Sequence, residues 1–415
     1  MRILIVVLIQ LSLSDSLEAQ SLSELYEMAE SQSEVLGSKT ALIDQANLRY
    51  YQALGSIFPT VAASFDHIRQ DSFDETRQDQ IQSGLVGKIT SLRITGTQPL
   101  FKGLKEYYGL FQARELARSE QQSRRAEQLK LKEQVAARLF KFLSFEAELR
   151  SLSEGQKALE KRVAELDSRV KTGRSKRSDV LSAQANLESL RSQTRVFEAQ
   201  RDVEFQNLVF LTGLNSRLKA PTFQVPKVPA IHDDLMKLAS SHPKVLMESH
   251  KLKAAEDNKA MSYGEHLPTA DLSGNYYLKR TGSLKDVAWD VRLDAKLPIF
   301  QGGVPTNKVR EAYAKERQAL MELQKAQRET ELQIQSDLTH YKARIAEINS
   351  LEKAVRLSQA AYNEQVRQYD LGLVSNLDVL TSLSNLYETK RSLDRSTHEL
   401  LFLEEKLRLL KETVQ

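Results

Sequence analysis

The 415-residue sequence contains no cysteine. That excludes disulfides, thiolate metal sites and a cysteine nucleophile, and is compatible with an oxidising compartment. Glycine (16) and proline (9) are scarce. Few helix breakers alongside 27% charged residues favour long helices over many compact loops. Neither sign of charge dominates; a net charge of +4 does not point to nucleic acid. The seven histidines show no metal-ligand spacing. No glycine-rich phosphate loop or nucleophile elbow is visible, so no cofactor is called for and no enzyme is indicated. Long hydrophobic runs are absent but for Ile3 to Leu13, interrupted by Gln10 and Ser12. It follows Arg2, precedes Ala19, and is too short to cross a bilayer as a helix. Residues 1–19 read as an export signal cleaved after Ala19 or Ser16. The alternative is a buried N-terminal strand.

What the sequence does have is an internal duplication. Gln98-Pro99-Leu100-Phe101-Lys102-Gly103 returns as Leu297-Pro298-Ile299-Phe300-Gln301-Gly302-Gly303, an offset of 199 (300 − 101). Gly173, Asp179, Val180 and Leu181 return at the same offset as Gly372, Asp378, Val379 and Leu380. Upstream, Gly55, Pro59 and Thr60 return at an offset of 209 (268 − 59) as Gly264, Pro268 and Thr269. Two copies of one architecture are expected, residues 20–214 and 231–412, joined by a proline-bearing linker at 215–230. In both, Pro99 or Pro298 stands at a strand end, where a ladder N–H is dispensable. Gly103, or Gly302-Gly303, then permits the turn from strand into helix.

In the first copy the pattern predicts a helix over 21–54, with Leu22, Leu25, Met28 and Ala29 on one stripe. A hairpin over 57–100 follows, with strands at 60–69 and 84–97 around the polar loop Gln70–Ser83. A helix over 104–171 comes next, a rod of about 100 Å at ~1.5 Å per residue. Gly173 ends it, and Asp179 or Ser178 caps a further helix over 178–212. The second copy predicts a helix over 232–262, a hairpin over 267–299, and helices over 304–370 and 377–412. Leu338, Tyr341, Ile345 and Ile348 begin a heptad seam on the third of these.

The second hairpin alternates most clearly. Tyr276, Trp289, Val291 and Leu293 fall on an apolar face, while Asp290, Arg292 and Asp294 fall on the other. Strands of about ten residues suit a tilted crossing of a membrane, and the apolar face is expected to meet lipid. A soluble hairpin with one buried face is the alternative, weakened because no further strands exist to cover it. Four strands cannot close a barrel, and an open edge in lipid leaves backbone groups unsatisfied. Strands must therefore come from copies of the same chain, and three chains would supply twelve.

With two helix–strand–strand–helix–helix halves, Pro-Leu-Phe-x-Gly after the hairpin and Gly…Asp-Val-Leu at a helical turn, the chain resembles the TolC-like outer membrane efflux protein family over nearly its whole length. The resemblance implies a mainly α chain with a small β part, in a homotrimer whose twelve-stranded β-barrel sits in outer-membrane lipid and continues into a periplasmic α-helical barrel. It implies a passive channel for substrates expelled by an inner membrane pump (RND or ABC type) through a periplasmic adaptor. It places adaptor docking at Gly173, Arg174 and Ser175 and at Gly372 and Leu373. It places a periplasmic gate at Tyr369, hydrogen-bonded to Asp179, with Asp378 in a constricting ring. Two family features are missing: Val374 stands where the gate has an arginine, and Thr381 where a second aspartate ring lies.

Other readings remain open. Asp179 and Asp378 serve equally as helix caps. The basic cluster Arg169, Lys171, Arg174, Lys176 and Arg177 complements a helix C-terminus; as a nucleic-acid patch it lacks interleaved aromatics. A periplasmic coiled-coil adaptor would account for the helices and the signal but leave the alternating hairpins unused.

Overall fold

Residues 21–69, 88–214, 223, 238–281 and 284–414 are described by the structure, a computed structural model. The signal-like segment, the loop Gln70–Ser83 and most of the 215–230 linker lie outside them. The elements are α1 (Leu22–Gln32), α2 (Glu34–Gly55), β1 (Thr60–Arg69), β2 (Lys88–Lys102), α3 (Lys105–Lys171) and α4 (Arg177–Thr212). The second copy contributes α5 (Pro243–Tyr263), β3 (Thr269–Arg280), β4 (Trp289–Lys296), α6 (Val304–Asp370) and α7 (Asn376–Val414). The chain is mainly helical with one small antiparallel sheet. α3 and α6 have 67 residues each.

Four boundaries differ from the sequence-based expectation. The helix expected over 21–54 is two helices, because Ser33 takes an extended conformation (φ −74°, ψ 107°) that interrupts the hydrogen-bond series. Of the helix expected over 232–262, residues 232–237 lie outside the described residues, and the α-helix described begins at Pro243. His242 caps it, its Nδ1 accepting from the Lys244 N–H at 3.1 Å, and a residue preceding proline is held out of the helical region. β4 stops at Lys296, short of the hairpin end expected at 299. β2 runs five residues beyond the expected 97, so Pro99 lies inside a strand, opposite Asp271, beside a bulge between Pro99 and Phe101. A proline is tolerated there because β1 leaves the ladder at Thr60–Thr97, so beyond Thr97 one side of β2 is an edge.

Two compact units divide the chain, and each draws on both copies. The first contains residues 1–34, 127–238 and 332–415. Its interior is mainly aliphatic, with Leu139, Leu152, Leu166, Val180, Leu208, Leu386, Leu400 and Leu407 all buried alongside Tyr341. α1 buries Leu22, Leu25, Tyr26 and Ala29, and Tyr26 donates to Glu405 Oε1 on α7 at 2.7 Å.

The second unit contains residues 35–126 and 239–331. Its buried helical positions are mostly small: Ala46, Ala117, Ala254, Ala312 and Ala326. Its sheet has the order β1-β2-β3-β4. Leu272 pairs with Leu293, Gly274 with Val291 and Tyr276 with Trp289. Directly paired residues share a face, so Tyr276, Trp289, Val291 and Leu293 form one apolar surface, and all four are exposed. The opposite face is polar and knitted. Asp290 accepts from Asn275 Nδ2 and the Tyr277 hydroxyl at 2.8 Å each, and Thr95 donates to Asn275 Oδ1 at 2.7 Å.

At the first strand-to-helix junction Gly103 (φ +71°) and Leu104 (φ +62°) are consecutive left-handed residues. The second copy uses Gly302 (φ +59°) and Gly303 (φ +78°). Left-handed backbone costs a leucine roughly 1 kcal/mol more than a glycine, so Leu104 is held there by its surroundings. A Cβ on Gly103 would stand 2.3 Å from the Gly264 carbonyl oxygen; Gly302 and Gly55, their repeat counterparts, have nothing within 4 Å.

Candidate functional site: the two helical turns

The turns that end α3 and α6 lie in the first unit and share one backbone design. Gly173 (φ +70°) donates to the Val170 carbonyl at 3.0 Å, and Arg174 N–H to Arg169 at 2.8 Å. Gly372 (φ +75°) donates to Tyr369 at 3.0 Å, and Leu373 N–H to Gln368 at 2.9 Å. These paired bonds close a helix with a left-handed residue, which glycine supplies without strain.

The next helix starts alike in both. Asp378 Oδ2 accepts from the Ser375 N–H at 2.9 Å and the Ser375 hydroxyl at 2.7 Å, while Ser375 Oγ accepts from the Asp378 N–H at 3.3 Å. This is a reciprocal cap that satisfies donors left over at a helix start. The Ser375 hydroxyl, then its N–H, hold the Asp378 carboxyl below its ordinary range. In the first turn Asp179 Oδ2 accepts from the Lys176 N–H at 3.4 Å and the Ser175 hydroxyl at 3.0 Å. Asp179 and Ser178 are thus inside α4, and the capping carboxylate acts from the third helical position rather than from the cap itself.

Tyr369 and Asp179 come together, but not directly. Ser175 stands between them: its hydroxyl donates to Asp179, and its oxygen lies 3.2 Å from the Tyr369 hydroxyl. Since Ser175 has spent its proton on Asp179, Tyr369 is the donor. Asp378 is not joined to this group; its carboxylate serves its own cap.

Two further residues hold the turns together and were not picked out from sequence. Arg162 on α3 is 3% exposed. Its Nε donates to Asn376 Oδ1 at 3.1 Å, its Nη1 to Glu165 Oε2 at 3.1 Å, and its guanidinium lies 4.1 Å from the Tyr369 ring centre. Asn376, 2% exposed at the start of α7, donates in turn to the Asp179 carbonyl at 3.3 Å. Arg169 also lies over Tyr369, at 5.3 Å, and pairs with Asp370 and Glu165. Leu159, Leu166, Val180, Ala183, Leu187, Leu380 and Leu383 form the apolar layer packed against Tyr369. A signal for Arg162 did exist: it lies three residues after Leu159 and four before Leu166, on the inward stripe. Asn376 gave none.

The outer surfaces of the turns differ. The first carries exposed Lys171, Arg174, Lys176 and Arg177. Lys171 and Arg177 share Asp167 at 2.9 and 3.4 Å, and the Lys171 bond keeps the Asp167 carboxyl below its usual range. Among the described residues Arg174 and Lys176 have no carboxylate partner. The second turn exposes Leu371, Leu373 and Leu377. Val374 is half-buried and Thr381 exposed.

The sequence profile of the outer membrane efflux proteins matches residues 25–214 and 235–410. The chain belongs to that family. Its relatives include the outer membrane protein TolC of Salmonella enteritidis, 23% identical over 97% of this chain and 84% of that protein. TolC of Vibrio cholerae is 22% identical over 94% and 90%. Among solved structures, CusC superposes with a TM-score of 0.84 at 18% identity, covering 94% of this chain and 91% of that one. The outer membrane protein VceC of Vibrio cholerae gives 0.82 at 18% identity, covering 94% and 95%. This outer membrane efflux protein therefore resides in the outer membrane and acts as an efflux channel. Among its described residues no group of three or more His, Cys, Asp or Glu is placed to hold a metal ion. The two turns thus combine a buried network of side-chain ties, centred on Tyr369, Arg162 and Asn376, with outer surfaces of different character, one basic and one leucine-rich.

Proposed function

We propose that the chain is one protomer of a homotrimeric channel-tunnel. Three copies of the sheet close a twelve-stranded barrel in the outer membrane, and the helices continue it as a tube through the periplasm. The α3–α4 and α6–α7 turns form the periplasmic entrance. There Gly173, Arg174 and Ser175, with Gly372 and Leu373, meet a periplasmic adaptor that delivers substrate from an inner membrane pump (RND or ABC type). The observation that carries this reading is the sheet. It exposes a whole apolar face opposite a hydrogen-bonded polar one, and among the described residues neither β1 nor β4 has a strand on its outer edge. In lipid such edges require partners. A free-standing coiled-coil adaptor would have no use for that face.

The hydroxyl chain from Tyr369 through Ser175 to Asp179 supports a gate that holds the entrance shut. Detergent-extracted protein is expected to have the native mass of a trimer; a water-soluble monomer of the full mature chain opposes the reading. Tyr369→Phe removes the hydroxyl and keeps the ring. The lost bond is neutral, worth about 1 kcal/mol, so the open fraction in planar bilayers should rise about fivefold with trimer yield unchanged. Unchanged conductance would reject the hydroxyl lock and leave Tyr369 as a packing residue.

A further inference from the structure

Among the buried polar residues described, only one is a cation: Arg162. Its placement is costly. Burying a guanidinium removes it from water, and here Nη2 has no hydrogen-bond partner. An apolar residue of similar length would continue the stripe of Leu159 and Leu166, and replacing a buried ionic group by well-packed apolar atoms is often neutral or stabilising. Stability therefore does not account for this arginine, whereas its contacts do. It reaches α7 through Asn376 at 3.1 Å, α6 through the Tyr369 ring at 4.1 Å, and α4 through the bond that Asn376 makes to the Asp179 carbonyl at 3.3 Å. One side chain on α3 thus ties together both turns.

We propose that Arg162 is a positioning residue for the entrance: it clamps the α6–α7 turn to α3 and α4, and must release Asn376 and Tyr369 before that turn can swing outward. This rests on the gate reading above but not on the Tyr369 hydroxyl. A guanidinium suits the task because it offers a fixed fork of donors to Asn376 and Glu165 and a flat cation to the ring at once. A lysine offers only a point charge. The clamp also explains why Asn376, at the first position of α7, is almost fully buried although the residues on either side of it are exposed.

The test measures conductance of purified channels in planar bilayers, with trimer melting followed in parallel. Arg162→Met should raise the open fraction about tenfold, the factor for loss of one hydrogen bond to a charged group, without lowering the melting temperature. Arg162→Lys, which keeps charge over the ring and loses the fork, should fall between it and the parent. Asn376→Ala should also open the channel, and Arg162→Met with Asn376→Ala should add little beyond the larger single effect, since both break one bond. An intact Arg162→Met trimer as closed as the parent overturns the clamp, as do additive effects of the pair. If Arg162→Met fails to assemble, Asn376→Ala decides: parental conductance there overturns the proposal. An open Arg162→Met channel beside a silent Tyr369→Phe channel would retain the clamp and discard the hydroxyl lock. Trimers that never conduct would overturn both.

Discussion

At the scale of single residues, Asp378 shows how a charge serves a turn. Its carboxylate receives the Ser375 hydroxyl and N–H, which hold its pKa below the ordinary value. A carboxyl whose folded pKa is depressed contributes stability above its unfolded pKa and loses it as the pH falls through the folded one. The start of α7 should therefore fray in acid, below about pH 4. Amide exchange over residues 375–379 should accelerate there in the parent. Asp378→Asn, which keeps an acceptor but cannot titrate, should remove that acid dependence; an unchanged profile would show that the cap does not govern this turn. The sequence made Asp378, Asp179 and both tip glycines legible because each recurs at a fixed offset, whereas Tyr369, whose counterpart is Val170, is singled out only by the family resemblance. It did not reveal that Ser175 would stand between Tyr369 and Asp179. Nor did it reveal Asn376 as the partner of Arg162, 214 residues away, because long-range pairing leaves no mark on local sequence.

At the scale of elements, the duplication made most boundaries readable. Both long helices end where a glycine takes a left-handed conformation, and both begin just past one or two more. The boundaries that escaped were set by tertiary context. Pro99 sits within β2 because β1 stops short of it. Ser33 breaks a helix at the point where the chain passes from one compact unit to the other. The faces of the hairpin were readable from alternation alone, and they can be checked by paired substitutions. Val291→Arg puts a charge on the apolar face and should cost about 2–4 kcal/mol near the midplane of a bilayer. Arg292→Ala, on the polar face opposite Ser273, should leave assembly intact. Unfolding of the two variants in lipid vesicles compares them, and equal damage would reverse the faces.

At the scale of the molecule, the two copies are alike in sequence but not in surroundings. β2 lies between β1 and β3 and runs to Lys102; its counterpart β4 has one neighbour among the described residues and stops at Lys296. Beyond it Ile299 and Phe300 are 94% and 87% exposed. If the β2–β3 junction is repeated between protomers, the offsets of 199 and 209 give its register. Thr97 opposite Ser273 becomes Lys296 opposite Ser64 of the next copy, and the Gly103–Gly264 approach becomes Gly302 against Gly55. Because the chain has no cysteine, Ser64→Cys with Lys296→Cys gives a clean test. Residues directly opposite across an antiparallel pair lie within disulfide reach. Oxidation should link three chains covalently, while Phe65→Cys with Lys296→Cys should not; linkage by the second pair alone would place the register one residue away.

That unfinished edge also governs time. A chain that has folded alone still presents the outer edge of β4 unpaired, with Ile299 and Phe300 exposed, a template for any strand it meets. In the proposed trimer the last step of maturation would therefore be an encounter rather than a rearrangement, with a rate set by how many copies are nearby. Correct and wrong partners are met faster alike as chains crowd together, so what separates channel from aggregate is how well the register of that edge discriminates between them.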